Sequence, residues 1–264
     1  MNYFITGASG FIGRRLVEKL LQRQDSHVYY LILERELPMV EQLRQRWGNA
    51  ANRTFPIVGD LTQPRLGLSD ADLAWLKGSI HHLIHLAAIY DLNASAEIQE
   101  QVNIEGTRNV VAFAEAIEAG CFHLTSSIAA AGLYEGVFRE DMFEEAEELE
   151  HPYYRTKHES EGIVRRECSR PWRVYRPGIV VGDSRTGEMD KIDGPYYFFK
   201  LIQKLRKLLP PWMPMIGLEG GRLNLVPVDF IVAAMDHIAH RPGLDGRCFH
   251  LVDPNPLRVG DILN

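Results

Sequence analysis

Cysteine is scarce: three residues, Cys121, Cys168 and Cys248, in a chain of 264. They lie far apart with no C-x-x-C pair, which excludes a disulfide framework and gives no support to a sulfur-ligated metal. Each reads as a small buried hydrophobe. Basic charge is also short, since 29 Lys and Arg against 35 Asp and Glu leave a formal −6. That balance excludes the cationic surface that a nucleic-acid partner would need. No apolar run reaches the ~18 to 20 residues of a membrane span, and Met1 leads directly into a strand-like stretch with no basic leader. A soluble, cytoplasmic protein is expected, without stable membrane insertion. The ten histidines contain no H-E-x-x-H or other ligand spacing. His81, His82 and His85 are therefore expected at a sheet edge or in loops and not on a metal.

What is present is a chain 45% hydrophobic and 24% charged, enough for one large or two modest domains with a buried core. Short apolar runs at 3–6, 28–33, 55–58, 82–86, 121–126 and 173–176 alternate with helical patterns around 11–22, 39–47, 69–77, 97–119 and 153–168. This alternation predicts an α/β fold, a Rossmann-type doubly wound parallel sheet. Beyond Arg176, Gly, Pro and aromatic residues become dense through Pro214, and apolar runs resume near Leu225. The expected division is a dinucleotide-binding domain over 1–176 and a smaller C-terminal substrate lobe over 177–264, interleaved with the last elements of the sheet. The acidic stretch Glu140 to Glu150 reads as a solvated loop. Lys200 to Leu209 is basic and amphipathic, suited to packing across a cleft or to peripheral membrane contact.

The strongest local signal is Thr6-Gly7-Ala8-Ser9-Gly10-Phe11-Ile12-Gly13, between a strand and a helix opening. Gly7 permits a sharp turn, Gly10 close approach of backbone N–H groups to a pyrophosphate, and Gly13 close helix–strand contact. The helix start presents free N–H groups and the positive dipole end to the diphosphate. At the end of the second strand, Glu34 would accept from a free ribose 2′-hydroxyl, whereas Arg35, with Arg14 and Arg15, would neutralise a 2′-phosphate. Three arginines against one glutamate point to NADPH, with NADH left open.

Tyr153 and Lys157 are four apart on a predicted helix and share a face. A nearby ammonium stabilises a phenolate and brings a tyrosine toward the working range of an acid–base group. Upstream, Thr125-Ser126-Ser127 ends a strand, which sets a hydroxyl in the crevice where this fold class binds ligands.

These segments, with Gly59-Asp60-Leu61, His85-Leu86-Ala87-Ala88, Asn103 before Gly106-Thr107, Ser127 five residues ahead of Gly132, and Arg176-Pro177-Gly178, resemble the extended short-chain dehydrogenase/reductases. The resemblance implies that Ser127 holds the substrate oxygen and Tyr153 exchanges its proton. It implies that Lys157 holds the nicotinamide ribose, that Asp60, Leu61, Ala87 and Ala88 flank the adenine half, and that Asn103, Arg176, Pro177 and Gly178 complete the cofactor site. Ile128 to Gly132, Phe138 to Asp141, Arg155 to Glu161, Gly187 to Asp190 and Asp193 to Phe199 are similar to the reductase domain of bacterial fatty acyl-CoA reductases, relatives of male-sterility proteins and thioester reductases. That likeness implies NADPH-dependent reduction of a long-chain acyl thioester, with aldehyde or alcohol as end product. Tyr196, Tyr197, Phe198, Phe199, Trp212 and Met213 suit an apolar chain better than a sugar nucleotide. A nucleotide-sugar epimerase or dehydratase, a hydroxysteroid-type dehydrogenase, and a non-catalytic NAD(P)-binding module remain as alternatives. Val259 to Asn264 reads as a helix opening, so further C-terminal sequence is expected.

Overall fold

Strand β1 (Asn2–Thr6) is apolar on both sides, and Tyr3, Phe4 and Ile5 have no exposed surface. Such a strand is stable only inside a sheet covered on both faces. The computed structural model, which describes residues 1–89, 94–189 and 221–258, places it there. Along the chain follow α1 (Phe11–Leu21), β2 (His27–Ile32), α2 (Met39–Trp47), β3 (Thr54–Val58), α3 (Asp70–Leu76) and β4 (His82–His85). Next come α4 (Ala96–Gln99), α5 (Gly106–Ala116), β5 (Cys121–Thr125), α6 (Pro152–Glu167), β6 (Trp172–Pro177) and β7 (Ile179–Val181). The last described elements are β8 (Arg222–Leu223), β9 (Leu225–Pro227), α7 (Val228–His240), β10 (Arg247–Leu251) and β11 (Leu257–Arg258). The segments 196–199, 200–209, 212–213 and 259–264 singled out above lie outside the described residues.

Seven strands form one sheet in the order β10-β6-β5-β4-β1-β2-β3, every pairing parallel. This is the doubly wound Rossmann-type fold. The chain reverses direction across the sheet at β1, with Thr6 beside Leu31 of β2 and His85 of β4. At that reversal the flanking helices diverge, and the crevice above the strand ends is where such sheets bind ligands.

Helices α1, α2 and α7 cover one face with Leu16, Val17, Leu20, Trp47, Ile231 and Met235, while α3, α5 and α6 cover the other with Leu76, Val110, Phe113, Ile163 and Val164. Each such side chain contributes about 1.5 to 3 kcal/mol by leaving water. The three cysteines are buried and unpaired. Of the acidic stretch, Met142 and Phe143 anchor the loop inward and most of the carboxylates face solvent.

Two expectations change. The single helix predicted over 97–119 is α4, a π turn at Glu100–Glu105, and α5; the wider turn carries Asn103. Periodicity does not register one extra residue per turn. Nor are His82 and His85 edge or loop residues: β4 is interior, and His85 is buried.

His82 belongs to a polar chain inside the sheet. Its Nδ1 lies 3.0 Å from His123 Nε2, and His123 Nδ1 lies 2.9 Å from the Tyr175 hydroxyl. Burial, with lesser repulsion from His240 and Arg173, pushes His82 down to about 4. The folded state therefore holds His82 neutral where the unfolded chain protonates it. Unfolding free energy should fall by on the order of 2 to 3 kcal/mol as pH drops from about 6.5 to 4. Urea unfolding across that range should show a decline at least this large, since buried His85 and His123 act in the same direction, and His82→Asn should make it shallower by the share of His82.

Candidate active site

The glycine loop is built by contacts that no side chain could share. Gly7 has φ +75°, and a Cβ there would stand 2.7 Å from the Ala87 backbone nitrogen. At Gly13 a Cβ would lie 2.0 Å from the Gly7 carbonyl oxygen, so the close approach is to the loop's own backbone and not to the strand. Gly10 caps α1 in extended conformation with no side-chain bond to the helix start. Ser9 lies in the turn, and Phe11 and Ile12 pack against the hydrophobic core. The first-turn N–H groups are thus left to an anion, and the cradle fits a dinucleotide pyrophosphate.

Below the loop runs a chain of hydrogen bonds. Ala87 N–H donates to Thr6 Oγ1 at 3.3 Å, and Thr6 Oγ1 lies 2.7 Å from His85 Nδ1. His85 Nε2 lies 3.1 Å from Thr107 Oγ1, which donates to the Asn103 carbonyl at 2.5 Å. A consistent assignment has Thr6 donating to Nδ1 and Nε2–H donating to Thr107. Burial, with a smaller push from Lys157, brings His85 down to about 3, so it stays neutral. His85, Ala87, Ala88, Asn103, Thr125, Ser126 and Lys157 line a small cavity of about 10 Å³.

Three residues converge at the strand ends. Ser127 follows β5 and opens a 3₁₀ turn at Ile128–Ala131, its Oγ accepting from Ala129 N at 3.1 Å. The Tyr153 hydroxyl, from the first turn of α6, lies 3.5 Å from Ser127 Oγ. Lys157, one turn on, is 7% exposed and faces the cavity. Burial pushes the Tyr153 phenol up, against the pull of the Ser127 bond. The net direction is opposite to the one its spacing from Lys157 predicts, because loss of water outweighs the local partner. Burial also lowers Lys157 to about 8. Its charge is present below that pH and lost above it, so dinucleotide affinity should weaken several-fold between pH 7 and 9. Fluorescence titration should show this dependence in wild type and not in Lys157→Met.

The glycine cradle, uncapped helix end and hydroxyl pair over a lysine have known counterparts. The profile of the male sterility protein family matches residues 5–235. The chain belongs to this family. A linear gramicidin synthase of Brevibacillus parabrevis is 32% identical over 98% of this chain and only 5% of that protein. The terminal R domain of the myxalamid PKS-NRPS pathway is 28% identical with a TM-score of 0.84, over 97% of this chain and 66% of that one. UDP-glucuronic acid 4-epimerase of Bacillus cereus shares the fold at 21% identity and a TM-score of 0.71 over 99% of this chain and 81% of that one. The male-sterility chain accordingly has the NAD-binding domain fold of the extended short-chain dehydrogenase/reductases.

Several expected cofactor residues in this family member are occupied otherwise. Arg176 has no exposed surface, and its guanidinium is held by Glu161 and the Met142 carbonyl, so its side chain does not reach a cofactor. Sequence spacing cannot distinguish an arginine aimed at phosphate from one locked to a carboxylate. Gly178 is needed because a Cβ would stand 2.7 Å from the Asn224 carbonyl, and Pro177 closes β6. The Asn103 amide clips Ile89 N and O and the Thr156 hydroxyl at 2.8, 2.9 and 3.2 Å. Asp60 Oδ1 accepts from Thr62 N–H and O–H, both at 2.9 Å, and Leu61 O accepts from Asn109.

Glu34 and Arg35 are exposed on a 3₁₀ turn directly after β2, where a ribose reader belongs. Arg15 is buried over the Phe11 ring at 4.5 Å and paired with Glu188 at 3.3 Å, which argues against its expected role on phosphate. Arg14 lies beside Arg15, Arg46, Glu188 and Glu18, and burial with arginine repulsion lowers its pKa. His85 is the site residue that sequence reasoning missed. Its signal was position: a histidine directly before Leu86-Ala87-Ala88, at the end of the strand facing the glycine loop.

Proposed function

We propose that this chain is an NADPH-dependent reductase of long-chain fatty acyl-CoA thioesters, yielding the aldehyde. The observation that carries the reading is the Ser127–Tyr153 hydroxyl pair at 3.5 Å, with buried Lys157 one turn beyond Tyr153 on α6. The named relatives, a gramicidin synthase and a terminal reductase domain, support a thioester as substrate. The apolar residues between Tyr196 and Met213 support a fatty chain, and Arg14 with Arg35 supports the 2′-phosphate. The chain spans 5% and 66% of the length of those two relatives.

The nicotinamide, when bound, supplies the hydride. Ser127 and Tyr153 donate hydrogen bonds to the thioester oxygen as negative charge develops there, and Tyr153 delivers the proton. One hydride and one proton thus convert the carbonyl to a hemithioacetal. Its C–S bond breaks to give aldehyde and free thiol. Lys157, one turn beyond Tyr153, would hold the nicotinamide ribose and keeps its positive charge in the site below about pH 8. Neutral His85 holds the floor without adding charge.

Product analysis after incubation with palmitoyl-CoA and NADPH tests the proposal: one aldehyde and one free CoA per NADPH oxidised are expected. Absence of thiol release would sink it. A second reading, a carrier-tethered acyl chain in place of CoA, is favoured by the likeness to a gramicidin synthase. Faster turnover of a carrier-bound thioester than of acyl-CoA would select it. The epimerase likeness shows the fold alone and adds no support for a sugar nucleotide.

A further inference from the structure

The most deeply buried charges in the described residues form a pair. Glu161 and Arg176 both have no exposed surface. Arg176 Nε donates to Glu161 Oε2 at 2.9 Å and a terminal nitrogen donates to Oε1 at 2.6 Å, a two-pronged guanidinium–carboxylate fork. Arg165, one turn along α6, adds a bond to Oε1 at 2.8 Å. Burial alone would raise the Glu161 carboxyl, but the two arginines pull it below its ordinary value, so it is ionised.

A buried ion pair is a poor source of stability, since desolvation consumes most of the Coulomb gain and an apolar pair of equal volume would serve as well. What an apolar pair could not do is accept one more hydrogen bond. Ser126 Oγ donates to Glu161 Oε2 at 3.0 Å. Ser126 is also held through its backbone, its N–H donating to the Tyr175 carbonyl at 2.8 Å. The next residue is Ser127, whose Oγ stands 3.5 Å from the Tyr153 hydroxyl, already at the limit of a hydrogen bond. Glu161 lies one helical turn beyond Lys157 and two beyond Tyr153, all on α6. The carboxylate therefore ties the helix that carries Tyr153 and Lys157 to the strand end that carries Ser127.

We infer that Glu161 is a positioning residue: clamped by Arg176, it anchors Ser126 and so sets the distance between the reacting hydroxyls of Ser127 and Tyr153. The inference rests on the reading of that pair given above. Near-attack geometry is sensitive to shifts of a few tenths of an ångström at such a contact.

Ser126→Ala removes the link and leaves the ion pair intact. It should lower kcat about tenfold while KM and the Kd for NADPH stay within about twofold and Tm moves by only a few degrees. Arg165→Gln, which loosens the same carboxylate from its solvent side, should keep kcat within about twofold. Glu161→Gln should reproduce the loss of kcat if it folds, and Ser126→Ala carries the test if it does not. Wild-type kcat in Ser126→Ala, or an equal loss in Arg165→Gln, would overturn the inference in favour of general packing of α6. Both palmitoyl-CoA and the palmitoyl thioester of N-acetylcysteamine should be assayed. A wild type active only on the second refutes the acyl-CoA proposal and still permits the Ser126 comparison, whereas a wild type inert toward both removes the hydroxyl pair and this inference with it.

Discussion

Tyr153→Phe should lower turnover about a thousandfold and leave the Kd for NADPH within about twofold. The ring stays, so packing at the first turn of α6 is kept; what is lost is the proton and the hydroxyl 3.5 Å from Ser127. Ser127→Ala should cost about a hundredfold, since it removes one oxyanion donor and leaves the acid. The double variant should be little worse than Tyr153→Phe, because two hydroxyls serving one oxygen act as a unit. Single-turnover oxidation of NADPH with palmitoyl-CoA measures all three. More than a tenth of the wild-type rate in Tyr153→Phe would remove this tyrosine from the chemistry.

The second large effect belongs to the cradle. Gly13→Ala forces a methyl group to within 2.0 Å of the Gly7 carbonyl oxygen, a backbone atom that can retreat only by moving the whole loop. We expect a stability loss of about 3 kcal/mol and NADPH affinity down at least a hundredfold. Gly78→Ala is the control. Unlike Gly13 it has a positive φ, +68°, but a Cβ there meets nothing within 4 Å. Its cost should be about 1 kcal/mol of backbone strain, with no effect on binding. Thermal unfolding with and without NADPH separates the two. Normal NADPH binding by Gly13→Ala would mean that the loop yields far more than its packing suggests.

Much of the sheet was legible because its signals are local. The first six strands and the helices between them fall within a few residues of their apolar runs, as runs buried on both faces must be continuous. The seventh strand, β10, escaped: Arg247-Cys248-Phe249-His250-Leu251 breaks its apolar residues with Arg and His and is only partly buried, as a strand at the sheet's edge can be. The π turn escaped because hydrophobic period is blind to it, although the residue it carries, Asn103, was picked out.

By itself the sequence determined the fold class and the glycine turn, and it singled out Ser127 and Tyr153, whose hydroxyls the fold brings to 3.5 Å. Each depends on residue type at short spacing: absent Cβ atoms, a helical i and i+4 pair, a hydroxyl at a strand end. Only the tertiary structure decided which charges are held by the protein itself and which stay exposed. Arg176 and Arg15 are turned to carboxylates remote in sequence, while Glu34 and Arg35 remain on the surface beside the crevice. It also decided the protonation of the site. His85 is neutral, Lys157 titrates near 8 and Tyr153 is raised, because desolvation depends on everything packed around a group and spacing along the chain does not record it.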